Sequence, residues 1–312
     1  MIEVNQLTRR FDGRTAVDQL SFSARAGEVV GLLGPNGAGK TTTIRLLSTV
    51  LAATSGSFQI AGVPSAESAT IRRKVGVLPE SAGYPSYLSG RDYLRYHGRL
   101  FGLARPAAND LAERLLTEVG LADRASSRIG TYSRGMRQRL GIARSLINDP
   151  VVVLLDEPTL GLDPAGQKQI LAIVRQIASE RSATVVLSTH TLPEVEQVCS
   201  SVLILANGRV LVSGTVDEVT RAVAVQRSGR LRVPLEDMAR ARETLAAVPG
   251  VDCEATPDRP DTLAIRVTGS SASDTNAALL AVLAADVPVL SFEVDGARLN
   301  DAFLALTSQA RS

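Results

Sequence analysis

The sequence has few of the residues that staple a chain or anchor it in a membrane. Its 312 residues include only two cysteines, Cys199 and Cys253, and two histidines, His97 and His190. Two cysteines cannot build a disulfide framework, and two histidines cannot form a metal site alone. A reducing cytoplasm is the simplest home. Long apolar runs are missing too. A membrane-spanning helix needs about 18 apolar residues, and the best runs here, 151–155 and 277–285, fall far short. The chain enters an alternating pattern at once, with Ile2 and Val4, and shows neither a basic flank nor an apolar signal region. We therefore expect no secretion and no membrane span of its own. An excess of one charge is also absent: the net charge of +2 argues against nucleic acid as the main partner. Lysine supplies only three of the 34 basic residues, Lys40, Lys74 and Lys168. That bias reads as genome composition and makes each lysine more informative.

Short β-branched runs alternate with helical patterns as far as about Thr220, which predicts an α/β layer arrangement. The clearest buried strands are expected at 29–33, 151–155, 184–188 and 202–206. In open α/β sheets ligands bind where strands end at their carboxyl side, so the polar turns after these strands are where chemistry is expected. Residues 85–148 read instead as a helical insertion. Ser89 and Asp92 have the spacing of a capping box that opens a helix toward Phe101, residues 111–119 form a second helix, and Ser133 starts a third. From residue 221 onward the order 231–234, 236–248, 251–255, 262–268, 272–285 and 287–294 reads as βαββαβ. That order predicts a small ferredoxin-like α+β domain, with a final amphipathic helix at 297–306 packed on it.

Gly34-Pro35-Asn36-Gly37-Ala38-Gly39-Lys40-Thr41, with Thr42 beside it, fits the phosphate-binding loop G-x-x-x-x-G-K-[ST]. Glycines let backbone N–H groups converge on phosphate oxygens, and the helix that follows adds its positive end. Lys40 then reaches the β- and γ-phosphates and the Thr41 hydroxyl ligates Mg²⁺. The setting between a buried strand and a helix supports this over a chance glycine turn. Residues 151–155 form an apolar strand running into Asp156 and Glu157. An acidic pair at such a strand end is costly unless a cation or a reacting proton occupies it. Beside a phosphate loop, Asp156 is the expected Mg²⁺-side residue and Glu157 the group that polarises water. An ordinary exposed Asp-Glu turn is the plainer alternative.

Tyr132-Ser133-Arg134-Gly135-Met136, followed by Arg137-Gln138-Arg139, resembles the signature motif of the ATP-binding cassette (ABC) ATPases. Asp156-Glu157-Pro158-Thr159, Gly161-Leu162-Asp163 and Ser188-Thr189-His190 match, in order, that family's second phosphate motif, D-loop and switch histidine. The likeness covers about residues 1–220. A G-K-T alone would not separate this family from other phosphate-loop proteins; the ordered set does. The resemblance implies a phosphate-loop NTPase core at 1–220, with a helical subdomain at about 85–148 and an accessory domain at 221–312. It implies a Mg²⁺-dependent ATPase whose ATP is sandwiched head-to-tail, between one cassette's phosphate loop and the signature residues Ser133, Gly135 and Met136, with Asp163, of an identical or different partner cassette. Read from the residues alone, Ser133 could equally be a plain helix cap and His190 a lone satisfied histidine; the resemblance makes His190 the γ-phosphate sensor. It also makes Phe11 the adenine-stacking aromatic, where core packing is the alternative.

The sequence departs from the common pattern in places. Glu80 stands where many members carry glutamine, and a carboxylate remains a competent Mg²⁺ ligand. Arg134 and Met136 replace a common glycine and glutamine. Such variants resemble the branch that exports drugs, antibiotics, lipids or polymers through a separate membrane permease of about six spans, which would hold this chain at the cytoplasmic face of the membrane. A soluble relative acting in translation, DNA repair or division is the competing reading. A second cassette or a long coiled-coil insertion would mark the first two, and neither is visible. Four of the five tyrosines, Tyr84, Tyr87, Tyr93 and Tyr96, fall in one stretch. The resemblance places this stretch beside the groove that receives the permease's cytoplasmic helix, although Tyr93 and Tyr96 also have the spacing of a core-facing pair.

Overall fold

The computed structural model describes residues 1–223, 226–256, 259–268 and 272–294. The chain opens with an antiparallel hairpin, β1 (Ile2–Phe11) and β2 (Arg14–Ala24), then passes through β3 (Val29–Leu33) into helix α1 (Lys40–Leu47). It continues with β4 (Ser55–Ile60), β5 (Val63–Pro64), α2 (Ser68–Lys74) and β6 (Val75–Leu78), and next come the helices α3 (Gly90–Leu100), α4 (Arg105–Glu118) and α5 (Arg134–Ser145). Then follow β7 (Val152–Asp156), α6 (Pro164–Arg181), β8 (Thr184–Thr189), α7 (Leu192–Val198), β9 (Ser201–Ala206) and β10 (Arg209–Thr215). Beyond α8 (Val216–Val223) lie β11 (Gln226–Arg232), α9 (Met238–Ala246), β12 (Val251–Thr256), β13 (Arg259–Thr268), α10 (Ala272–Ala284) and β14 (Ser291–Val294).

Contacts divide the chain into two compact units, Met1–Val216 and Asp217–Ser312. In the first unit the central sheet has the order β10-β9-β3-β8-β7-β6, parallel except for the β9–β10 edge. A parallel sheet covered on both faces is apolar along its whole length; β3, β7 and β8 accordingly have every residue buried. Alternate residues of β7 supply two cores. Val152 and Leu154 join α1 and the second sheet, β2-β1-β4-β5, through Ile44, Leu47, Leu7 and Phe58. Val153 and Leu155 join α6 and the helical insertion through Val174, Ile177, Leu116 and Leu140.

Caps set the helical insertion. The Ser89 hydroxyl accepts from the Asp92 N–H at 3.0 Å, as the spacing predicts, and the Ser133 hydroxyl accepts from the Met136 N–H at 3.2 Å. Helix α4 starts at Arg105, earlier than the apolar period at 111–119 suggests, because Pro106 suits a first helical turn, where no N–H is needed. Arg181 of α6 ties this segment to the sheet layer, its guanidinium bonding both carboxylate oxygens of Glu118 (3.0 and 2.7 Å) and Asp149 (3.0 Å).

The tyrosine stretch does not form one surface. Tyr93 is 3% exposed and packs at 5.6 Å between ring centroids from the half-buried Tyr84. Burial, the largest influence, pushes the Tyr84 hydroxyl up to about 12, against the opposing pull of Arg144. Tyr87 and Tyr96 point outward, 74% and 56% exposed. A loop position therefore did not make Tyr84 a surface residue: it fills the space beside Leu78 and Gly141.

The second unit runs β11-α9-β12-β13-α10-β14, with an antiparallel sheet in the order β12-β13-β11-β14. Leu231, Leu245, Leu263, Ile265, Ala278 and Val282 form a core of its own. Two boundaries differ from the sequence pattern. Strand β11 begins at Gln226 rather than 231, since a polar run with no apolar alternation is paired along its length with β13. Strand β14 begins at Ser291 rather than 287, after Pro288, which cannot donate to a ladder. The helix expected at 297–306 lies outside the described residues. Because each unit has its own core, a chain ending at Val216 is expected to stay soluble and melt in one cooperative transition by circular dichroism. An insoluble fragment would show that the two units share a core.

Candidate nucleotide-binding site

Strand β3 delivers the chain to the loop 34–39, where glycine is required sterically. A Cβ on Gly34 would lie 2.5 Å from the Leu205 carbonyl oxygen. Gly39 has φ +105°, and a Cβ there would lie 2.6 Å from the Ala16 oxygen. Helix α1 then begins without a side-chain cap, so its first N–H groups are available to an anion. Lys40 is 5% exposed. Its Nζ donates to the Gly34 carbonyl at 2.8 Å and the Pro35 carbonyl at 3.3 Å, and lies 3.2 Å from Glu157 Oε1.

At the end of β7, Asp156 and Glu157 are 2% and 8% exposed, so the exposed-turn alternative does not hold. Asp156 Oδ1 accepts from the Thr41 hydroxyl at 3.1 Å and the Ser188 hydroxyl at 2.7 Å. Glu157 has φ +48°, a left-handed conformation that costs a non-glycine residue about 1–3 kcal/mol. Its N–H donates to Ser188 on β8, 2.9 Å from the hydroxyl oxygen, which holds the strained turn in place. The turn directs the carboxylate between two cationic or polar partners, with Oε1 on Lys40 and Oε2 2.8 Å from His190 Nδ1. His190 is thus no isolated histidine.

A cleft of about 610 Å³ opens over these groups. Phe11, Asn36, Gly37, Ala38, Gly39, Lys40, Thr41, Thr42, Glu80, Glu157 and His190 line it, all expected from the sequence. Phe11, 38% exposed, is not a core residue. Gly34 and Pro35 sit behind the lining, with their carbonyls on Lys40, and Asp156 is buried beneath, on Thr41. Ser133, Gly135, Met136 and Asp163 do not line the cleft. They form a second group, in which Ser133 caps α5 and Asp163 caps α6 (its Oδ1 accepts from the Gly166 N–H at 3.2 Å). Gly135 lies against Leu162 and Gly161 against the Arg134 guanidinium. The cleft also takes in Arg14, Ala16 and Leu160, which belong to none of the sequence motifs, and Ser188 bonds to both carboxylate residues beneath it. Arg14 carried one signal: it follows Asp12-Gly13, a hairpin turn that folds it back toward the loop.

The donor set fits Mg²⁺. Thr41 and Asp156 bring a hydroxyl and a carboxylate together, both hard oxygen donors, and Glu80 adds a second carboxylate to the lining. Among the described residues no cluster of three or more His, Cys, Asp or Glu could cage a metal. A small complement of one or two carboxylates is what Mg²⁺ uses when nucleotide phosphates and water complete its shell.

Residues 17–160 match the family described as ABC transporter. The chain is 36% identical over 310 residues to the daunorubicin/doxorubicin resistance ATP-binding protein DrrA of Streptomyces peucetius, covering 98% of this chain and 92% of that one. It is 37% identical over 217 residues to the linearmycin resistance ATP-binding protein LnrL of Bacillus subtilis, 69% of each chain. A solved structure of the ATP-binding subunit of an ABC transporter superposes with a TM-score of 0.63 at 32% identity, covering 71% of this chain and 92% of that one. A buried lysine on a glycine loop and a strained glutamate over an Asp–Thr pair thus coincide with likeness along nearly the whole chain, and the protein belongs to the ATP-binding, ATP-hydrolysing subunits of the ABC transporter family.

Proposed function

We propose that this chain powers a separate membrane permease, of about six spans, that exports a drug, antibiotic, lipid or polymer. The observation that carries the reading is Glu157, held at the cleft floor between Lys40 and His190. Export is supported by the resistance proteins to which the chain is similar over most or all of its length. Among the described residues no helix is long and apolar enough to cross a membrane, so attachment to the cytoplasmic face runs through the permease.

In this reading Phe11 stacks on the adenine while loop N–H groups and the start of α1 take the phosphates. A triphosphate carries more negative charge than one carboxylate, so Lys40 turns to the β- and γ-phosphates and releases Glu157. The freed Glu157 carboxylate accepts a proton from water and orients it toward the γ-phosphorus, in line with the leaving oxygen. His190 keeps Glu157 in place and reaches the γ-phosphate from the end of β8. Thr41, Asp156 and Glu80 are the residues that would hold Mg²⁺, which would supply charge neutralisation at the phosphates. Ser133, Gly135, Met136 and Asp163 serve the cleft of a second cassette, identical or different. Their place outside the cleft of their own chain supports this, as does the start of α5, which can meet a phosphate from across a dimer. The organisation is a nucleotide-binding domain at 1–220, with its helical subdomain at about 85–148, and an accessory domain at 221–312. The βαββαβ order and the β12-β13-β11-β14 sheet support a ferredoxin-like accessory domain.

The permease helix docks over a groove of about 440 Å³ lined by Val50, Arg72, Val77, His97, Phe101 and Arg144. Val50 (70%), Tyr96 (56%) and Phe101 (50%) expose apolar area there or beside it. Burial first, and then Arg144, holds the His97 pKa below its ordinary value.

Glu157→Gln is expected to lower ATP turnover by about 10²–10⁴-fold, as loss of a general base does, while calorimetric ATP affinity is kept. Phosphate release near the wild-type rate would remove Glu157 from catalysis. For docking, Val50→Ala with Phe101→Ala should leave ATPase activity and melting unchanged and weaken permease co-purification by about thirtyfold, the effect of losing a 2 kcal/mol hot spot. Unchanged co-purification would place the docking surface elsewhere. Tyr84→Ala, by contrast, should lower the melting temperature.

A further inference from the structure

Phe11 closes β1 at the tip of a hairpin, paired with Arg14 across Asp12 (φ +37°) and Gly13 (φ +84°). Two successive positive φ values make the tight turn that suits a twisted hairpin. The ring is thereby carried to the cleft at the end of a two-stranded projection, where little packs around it, and it remains 38% exposed. A stacking platform in such a place needs something behind it, because a base gains little from a ring that must first be ordered.

Arg9 is behind it. Its guanidinium carbon lies 4.5 Å from the Phe11 ring centroid, within the range of a cation–π contact. Phe11 lines the cleft and Arg9 does not, which fits a guanidinium that supports the ring without meeting the ligand itself. One terminal nitrogen donates to the Ala52 carbonyl at 2.9 Å. Ala52 lies in the segment leaving α1, the helix that begins at the phosphate loop. Arg9 therefore bridges the hairpin to the segment that follows α1. Its Nε is buried with no hydrogen-bond partner, and among the described residues no carboxylate forms an ion pair within reach of it. A buried donor left unpaired calls for a compensating role.

We propose that Arg9 is a positioning residue for the nucleobase: it clamps the Phe11 ring from behind and ties it to the segment after α1, so that base and phosphates are bound in one fixed relation. The inference rests on the reading of Phe11 as the base-stacking residue. It separates Arg9 from the phosphate-binding groups, since the effect reaches the ligand only through the ring.

The test uses the full chain and two ligands, ATP and inorganic tripolyphosphate, each titrated by calorimetry. Arg9→Ala should weaken ATP binding about threefold to thirtyfold, the span of a cation–π contact from exposed to desolvated, and leave tripolyphosphate affinity unchanged. Arg9→Lys, which keeps the cation, should retain most of the ATP affinity. Phe11→Ala combined with Arg9→Ala should bind ATP no more weakly than Phe11→Ala alone, because a residue that acts through the ring has nothing left to act on. Equal losses for ATP and tripolyphosphate, or additive losses in the double variant, would overturn the proposal by making Arg9 a general support of the loop. Lost ATP affinity in Phe11→Ala with none in Arg9→Ala would overturn it while leaving the stacking role of Phe11 intact. Full ATP affinity in Phe11→Ala would sink both. Should Arg9→Ala fail to fold, Arg9→Gln, which keeps a donor for Ala52, carries the same comparison.

Discussion

Asp156 stands opposite Ser188 across the β7–β8 pair, and the site depends on that one step of register. The buried Ser188 hydroxyl donates to the Asp156 carboxylate and accepts from the Glu157 N–H. It fixes, in one place, the acceptor of the Thr41 hydroxyl and the turn that swings Glu157 toward Lys40 and His190. A slip of one residue would turn every side chain of β7 to the opposite face and drive the carboxylates into apolar layers. The strands on either side, β8 fully buried and β6 buried except at Val77, make such a slip expensive.

Function here is bought with stability. Lys40, Asp156 and Glu157 are all less than a tenth exposed, and desolvating charges costs several kcal/mol each unless partners compensate. Compensation is thorough but uneven: Asp156 has two hydroxyls, whereas Glu157 shares a single lysine with two backbone carbonyls and adds a half-exposed histidine. Glu157 is also strained at φ +48°. The carboxylate that shares its lysine and sits on a left-handed backbone is the one with a reaction to perform. The apolar residues of β7, each contributing about 1.5–3 kcal/mol by burial, hold it there.

Away from the cleft the same logic separates what is rigid from what is offered. Arg181, held by Glu118 and Asp149, fastens the helical segment to the sheet layer. Tyr93 and Tyr84 fill that segment's interior, and Tyr87 and Tyr96 remain outside with Phe101 and Val50. Asp217–Ser312 needs nothing from these residues to bury its own apolar face, since Leu231, Leu263 and Ile265 meet Leu245 and Val282 within that unit.

What the sequence by itself determined is local. The glycine loop, the buried strand before it, the helix caps at Ser89 and Ser133, and the acidic end of β7 are each written within a dozen neighbouring residues, because helix and strand periods and capping spacings are properties of adjacent positions. Tertiary structure decided the rest. Thr41 meets Asp156 across 115 positions and His190 meets Glu157 across 33, through a sheet order, β9-β3-β8-β7, that no alternation pattern encodes. The inward turn of Tyr84 and the separation of Ser133 from the cleft of its own chain followed the same rule. So did β11, a polar run made into a central strand by β13 on one side and β14 on the other. A residue's type limits what it can do, but which carboxylate a lysine finds depends on partners distant in sequence, and those are set only when the layers pack.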